Sequence, residues 1–343
     1  MSFVIINENH SDTGKVRAAN EDYFGSYAGS YGDLIIVCDG MGGYKGGATA
    51  SKLAVENISE HFAGLQFTEN TDLSDELNFA LERAHYKIRE KASEDPELKE
   101  MGSTAAVLLL NGERFFTAHA GDSRVYLIRK GQIHQITKDH SLVQKMVDSG
   151  MITQEEAKNH PRRNVILNAL GAEKEFFSDV SAPEQLFEDD IFVLCSDGLN
   201  GHVEDDEIYK IATEKEPRQA VLHLVKLAND RGGKDNITVQ IVKVQRKGKT
   251  ISKDKKYSFG MPALVVLGLL LLGVSWLYFS GSYKPWIEGM FGKQTEKTDS
   301  LKTGKKPVLP DSTASDSLSN KPDSGKGNAV PETGVQKNEK GMK

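Results

Sequence analysis

Short apolar runs separated by polar turns fill the first 245 residues, and the pattern then changes twice. Residues 105–110, 114–119 and 124–128 are rich in Val, Leu, Phe or Tyr and predict strands. Asn111-Gly112 between the first two is a hairpin signal, and Arg129-Lys130-Gly131 divides the third from a fourth run at 132–136. Consecutive hairpins predict antiparallel sheets rather than a doubly wound parallel sheet. Helical spacing appears between the strands. Ala50, Ala54, Ile58 and Phe62 recur after Gly46-Gly47. Leu73, Leu77, Ala80, Leu81, Ala84 and Ile88 mark a longer helix capped by Asp72 or Ser74, and Ala220, Val221, Leu224, Val225 and Ala228 mark another. The expected fold class is α+β, two stacked antiparallel sheets flanked by helices. Residues 139–164 depart from this alternation and read as a surface excursion of small helices, a flap over a site.

Beyond residue 245 come a basic stretch, a long apolar run and a polar tail. Residues 261–279 carry no charged side chain, and about 19 helical residues at about 1.5 Å each are enough to cross a bilayer core. Trp276 and Tyr278 lie near one end, as interface aromatics do. The expected division is a globular domain at 1–245, a basic juxtamembrane segment at 246–260, a transmembrane helix at 261–280 and a disordered polar tail at 281–343. Residues 1–20 lack the continuous apolar core of a signal peptide.

Charge sharpens this division. The whole chain carries −6, but residues 246–260 hold +5 and residues 281–343 hold +3, so the first 245 residues hold −14. An acidic domain is a poor non-specific nucleic-acid binder, so no nucleic-acid partner is expected. The two cysteines, Cys38 and Cys195, sit inside apolar runs and read as small core residues.

Three aspartates stand where strand-like runs meet turns. Asp39 follows Leu34-Ile35-Ile36-Val37-Cys38, Asp197 follows Ile191-Phe192-Val193-Leu194-Cys195-Ser196, and Asp235 precedes Ile237-Thr238-Val239. A carboxylate at a strand end is held at the rim of a sheet. Several converging there suit hard divalent cations, which prefer oxygen ligands and can activate water against a phosphoryl group.

The run Asp12-Thr13-Gly14-Lys15-Val16-Arg17-Ala18-Ala19-Asn20-Glu21-Asp22, followed by Asp39-Gly40-Met41-Gly42-Gly43, resembles the metal-dependent type 2C (PPM) serine/threonine protein phosphatases in their bacterial form. Met101-Gly102-Ser103-Thr104, Ala118-His119-Ala120-Gly121-Asp122-Ser123-Arg124, Asp139-His140-Ser141, Ser196-Asp197-Gly198 and Gly233-Lys234-Asp235-Asn236 continue the resemblance in order, over about residues 5 to 245. It implies two Mn²⁺ or Mg²⁺ ions bridged by Asp39. Asp197 and Asp235 complete the shell of one ion; Glu21, through water, and the Gly40 carbonyl serve the other. Asp122 with Asp197 matches a third metal position, and Arg17 matches the binder of substrate phosphate.

The implied reaction is hydrolysis of phosphoserine or phosphothreonine by a water bridging the two metals. The implied partners are phosphorylated proteins, Ser/Thr kinases and their targets. Where some family members carry a histidine after Asp-Gly, this chain has Met41, so no general acid is assigned; His119 reads as core and His140 as a structural residue at the flap base. The alternatives are a pseudophosphatase that binds phosphopeptides without hydrolysis and a two-metal small-molecule phosphoesterase. The basic side of the apolar run places the domain in the cytoplasm under the positive-inside rule, anchored to the cell membrane by one pass at 261–280 with the tail outside.

Overall fold

The computed structural model describes residues 3–43, 45–172 and 176–246, together with Ser275, Trp276 and Ser280. The chain divides into two units, Met1–Lys253 and Asp254–Lys343, and the fold is that of the first.

Its strands, in chain order, are β1 (Phe3–Asp12), β2 (Asp22–Gly29), β3 (Gly32–Met41), β4 (Gly102–Ser103), β5 (Ala105–Asn111), β6 (Arg114–Ala120), β7 (Arg124–Arg129), β8 (Gln132–Gln135), β9 (Asp179–Val180), β10 (Glu184–Gln185), β11 (Ile191–Cys195) and β12 (Ile237–Arg246). They form two sheets in which every pair is antiparallel. One runs β1-β12-β11-β7-β8; the other runs β10-β6-β5-β3-β2, with β4 on β3 and β9 on β6. The helices are α1 (Gly46–Ala63), α2 (Leu73–Glu94), α3 (Leu142–Asp148), α4 (Gln154–Lys158), α5 (Asp197–Asn200), α6 (Asp205–Glu214) and α7 (Pro217–Asp230).

Alternation along the strands builds the layers. On β3, Ile35 and Val37 face the interior between the sheets, where they meet Phe115, Val125, Phe192, Leu194 and Val242. Leu34, Ile36 and Cys38 point the other way, into a core closed by Ile58 of α1 and Leu81 of α2. On the opposite side Val193, Cys195 and Ile241 meet Ile208 of α6 and Leu224 of α7. Strands covered on both faces need apolar residues at every position, so the runs at 34–38 and 191–195 are unbroken rather than alternating. The result is helix, sheet, sheet, helix.

Local chemistry sets the turns and caps. Asp72 caps α2 by accepting from the Ser74 N–H at 2.9 Å. Lys130 and Gly131 both have positive φ in the two-residue turn joining β7 to β8. The turn after β5 falls one residue later than the Asn111-Gly112 signal suggests. Asn111 pairs with Arg114 across the ladder, and its side-chain amide donates to the Tyr31 carbonyl. The flap contains α3 and α4 as expected, separated by Gly150 at φ +70°. Helix α6 has no counterpart among the expected helices; its buried face is only Ile208, Ile211 and Ala212.

The segments expected at 246–260, 261–280 and 281–343 lie outside the described residues, apart from Arg246, Ser275, Trp276 and Ser280. Among the described residues no helix is long and apolar enough to cross a membrane.

Candidate metal and phosphate site

The site forms where the chain crosses from one sheet to the other. Residues 13–21 pass from β1 to β2 and carry Arg17 and Glu21. Residues 121–123 pass from β6 to β7 and carry Asp122. Asp39 lies near the end of β3, Asp197 opens α5 after β11, and Asp235 stands just before β12.

Arg17, Glu21, Asp39, Gly40, Asp197 and Asp235 line one cavity of about 310 Å³. Asp122 opens instead into a neighbouring cavity of about 730 Å³, shared with Asp197, Asp235 and the flap residues Glu155, Lys158 and Arg163. The structure thus gathers all seven expected residues, with Asp122 displaced to one side, where Asp197 links the two cavities.

Each group is fixed by backbone as much as by side chain. The Asp39 N–H donates to Thr104 Oγ1 at 2.8 Å, and its carbonyl accepts from the Thr104 N–H at 2.8 Å and from Ser103 Oγ at 3.1 Å. Gly40 donates its N–H to the Glu21 carbonyl, which also accepts from Ser51 Oγ at 2.6 Å. A Cβ at Gly40 would lie 2.0 Å from the Gly47 carbonyl oxygen, so only glycine lets α1 approach the site this closely.

The electrostatics are severe. Burial, then repulsion from Asp22, Asp197 and Asp122, hold the Asp39 carboxyl well above the usual carboxylate range. Asp197 is pushed up to about 6 by burial and then by Asp235. Asp122 is raised by burial and then by Asp197, and Glu21 by burial. Among the described residues lining the smaller cavity, Arg17 is the one cation; its Nη2 lies 2.8 Å from Asp235 Oδ2 with the side chain half exposed.

Sequence reasoning passed over Asp22. It is buried directly opposite Asp39 in the β2–β3 ladder and pushed up to about 7, chiefly by burial. Its Oδ2 accepts from Ser196 Oγ at 2.7 Å, while among the described residues its Oδ1 and Asp197 Oδ1 have no hydrogen-bond partner. The available signal was its place beside Glu21 at a strand start, where period-two alternation turns one of two neighbours inward.

An all-oxygen donor set, crowded like charges and buried carboxylate oxygens without partners fit divalent cations, which would supply the missing positive charge. A second cluster does not fit. The possible ligand atoms of His119, His140 and Asp179 lie within 4.8 Å of one another. However, His140 Nδ1 accepts from Asn168 Nδ2 at 2.8 Å and from the Gly121 N–H at 3.3 Å, which leaves its proton on Nε2. His119 donates Nε2–H to the Lys138 carbonyl at 2.8 Å. The rings stack at 4.5 Å, His119 buried and His140 tying the flap base to the β6–β7 crossing.

A helix-flanked double antiparallel sheet with an oxygen-donor pocket at the sheet crossings is the build of a divalent-metal domain. Residues 10–223 match the family model described as Protein phosphatase 2C, and the chain belongs to this family. It is 39% identical over 236 residues to the serine/threonine protein phosphatase PstP of Mycobacterium tuberculosis, a match covering 68% of this chain and 44% of that protein. It is 36% identical over 234 residues to the protein phosphatase PhpP of Streptococcus pneumoniae, covering 68% of this chain and 94% of that one. A solved catalytic domain of PstP in complex with two manganese ions is 35% identical at a TM-score of 0.63, covering 71% of this chain and all of that one. The chain therefore spans less than half the length of full PstP.

Proposed function

We propose that this chain is a membrane-anchored protein phosphatase that hydrolyses phosphoserine and phosphothreonine. The observation that carries the reading is the smaller cavity itself: four carboxylates face one arginine, in a family whose similar members are named protein phosphatases, PstP among them as a serine/threonine phosphatase. The larger cavity beside it leaves room under the flap for more than a free phosphoamino acid, which favours protein substrates. In this reading the substrates are targets of Ser/Thr kinases.

Asp39 would be shared by two Mn²⁺ or Mg²⁺ ions, with Asp197 and Asp235 on one and Glu21 and the Gly40 carbonyl serving the other. Asp122 and Asp197 would hold a third. When bound, such ions supply Lewis acidity and lower the pKa of coordinated water. The chain's own residues supply binding and orientation. Arg17 offers two parallel N–H groups to phosphate oxygens, a fork that lysine lacks. The Asp39 and Gly40 backbones, pinned by Thr104, Ser103 and Glu21, keep the donors from drifting. Met41 lines the cavity and has no proton to give, so the leaving alkoxide takes its proton from water.

Residues 246–260 would lie on the cytoplasmic face, residues 261–280 would span the membrane and residues 281–343 would lie outside. The test of the activity is direct: the purified chain should dephosphorylate phosphothreonine peptides with Mn²⁺ or Mg²⁺ and stop in excess chelator. Undiminished turnover in EDTA would refute the reading.

A further inference from the structure

Residues 13–21 have no regular secondary structure, and Lys15, Val16, Arg17 and Ala18 are exposed. Little apolar burial holds this crossing in place, yet it presents both Arg17 and Glu21 to the site. Something else must fix it.

We propose that Asn236 is the positioning residue of this loop, and that its amide sets where Arg17 and Glu21 stand relative to Asp235. This rests on the phosphatase reading of the site. The Asn236 side chain is buried, and the three hydrogen bonds it makes all go to the loop. Nδ2 donates to the Thr13 carbonyl at 2.9 Å and to the Ala19 carbonyl at 2.9 Å. Oδ1 accepts the Glu21 N–H at 2.8 Å. One planar group therefore ties both ends of the Arg17 segment and the backbone of Glu21.

The same residue is anchored to the other wall of the site. Its own N–H donates to Asp235 Oδ1 at 2.9 Å. A Cβ at Gly198, next to Asp197, would lie 1.9 Å from its carbonyl oxygen. Two further contacts close the clasp: Lys15 N–H donates to the Gly233 carbonyl at 2.7 Å, and a Cβ at Gly14 would lie 2.2 Å from the Asp235 carbonyl oxygen.

Neither aspartate nor alanine could fill this role. Aspartate would set a carboxylate oxygen against two carbonyl oxygens, and alanine would leave two acceptors and one donor without partners. Asn236 touches no reacting atom. Its effect must pass through the residues that do.

That dependence separates positioning from a merely structural role. With Mn²⁺ present, Asn236→Ala in the full chain should lower kcat/KM on a phosphothreonine peptide about tenfold. In an Arg17→Ala background the same change should cost at most about threefold, because the arginine's share of the effect is already gone and only the share passed through Glu21 remains. Equal losses in both backgrounds, or no loss in the wild type, would overturn the proposal.

Should the variant fail to fold, amide hydrogen exchange on the wild-type chain still decides. The Glu21 N–H, held by Asn236, should exchange more slowly than the N–H of Val16 or Arg17; exchange as fast as theirs would overturn it. If the wild type hydrolyses neither the peptide nor p-nitrophenyl phosphate, the phosphatase reading fails, while the exchange comparison still tests the clasp.

Discussion

Replacing Asp39 by asparagine should push stability and activity in opposite directions. The substitution keeps the shape and removes one half-buried charge. In the metal-free protein that charge is a liability: Asp39 is half-buried in the cavity wall and repelled by Asp22, Asp197, Asp122 and Asp235. A fully buried, uncompensated carboxylate costs on the order of several kcal/mol, and a half-buried one less. Part of that cost is already avoided because the cluster holds protons that isolated carboxylates would release, so a gain of about 1–2 kcal/mol is expected. For a domain of this size about 1 kcal/mol moves Tm by about 2–4 °C, giving an increase of about 2–8 °C. In the metal-loaded enzyme the same change removes the carboxylate proposed to serve both ions. The expected loss in kcat/KM is at least about a hundredfold, or about 2.7 kcal/mol of transition-state stabilisation.

The pH dependence follows with the same sign. Asp197 and Asp22 titrate at about 6 and about 7 in the fold, against 3.8 unfolded. A raised carboxyl pKa means the folded state binds the extra proton, so its stabilisation is complete below about 4 and is lost as pH rises through 6 and 7. In EDTA the wild-type Tm should therefore fall between pH 5.5 and pH 8. Asp39→Asn should flatten that fall, and saturating Mn²⁺ should abolish it. The assay is thermal unfolding followed by circular dichroism across that range, beside steady-state kinetics. A metal-free variant less stable than the wild type at pH 8, or near-normal turnover with normal metal binding, would refute the reasoning.

Arg17→Ala should raise KM for phosphopeptides with little change in kcat if the guanidinium grips ground and transition states alike, and lower kcat as well if it tightens on the transition state; unchanged kinetics would remove it from the site. Asp122→Ala should leave two metal sites intact by titration calorimetry while reducing turnover, and loss of one of those two would contradict its separate place beside the larger cavity. For topology, with Cys38 and Cys195 first replaced, a cysteine introduced at position 312 should react with an impermeant reagent in intact cells and one at position 252 should not; the reverse pattern would overturn the proposed orientation.

What the sequence made legible follows from how local each signal is. The unbroken runs at 34–38 and 191–195 reveal strands covered on both faces, and the turn residues after them reveal where carboxylates can stand. Helix α6 escaped because its apolar face is three residues wide, too narrow for periodicity to show. Asp22 escaped because its place beside Glu21 at a strand start shows only that one of the two turns inward, not that it faces Asp39, and its partner Ser196 lies 174 residues away. Asn236 was visible only as part of a motif. Its work is done on Thr13, Ala19 and Glu21, more than 200 residues earlier, and no local pattern encodes such a contact.

The location of the site also explains why so much unfavourable charge is tolerated. Asp39 lies on a strand of one sheet, Asp197 and Asp235 stand just beyond the ends of strands of the other, and Arg17, Glu21 and Asp122 lie on the two crossings between them. Away from the site the sheets are joined by apolar packing and by polar links that include Gln240, which donates to the Ile36 carbonyl at 2.7 Å and to the Gly25 carbonyl at 3.3 Å, and Arg129, which donates to the Gln185 carbonyl at 2.9 Å. At the site they are joined by Asp22, Ser196 and the Thr238 N–H in series, a chain that leaves one carboxylate oxygen unpartnered. Cations held between Asp39 and Asp197 would tie the sheets at the point where repulsion otherwise pushes them apart. Metal binding would then contribute to folding as well as to chemistry, because ions that bind only the folded state stabilise it by mass action. With its acids at the edges of both sheets, such a fold would make the ion part of the sandwich, and relief of their repulsion would contribute to taking it up.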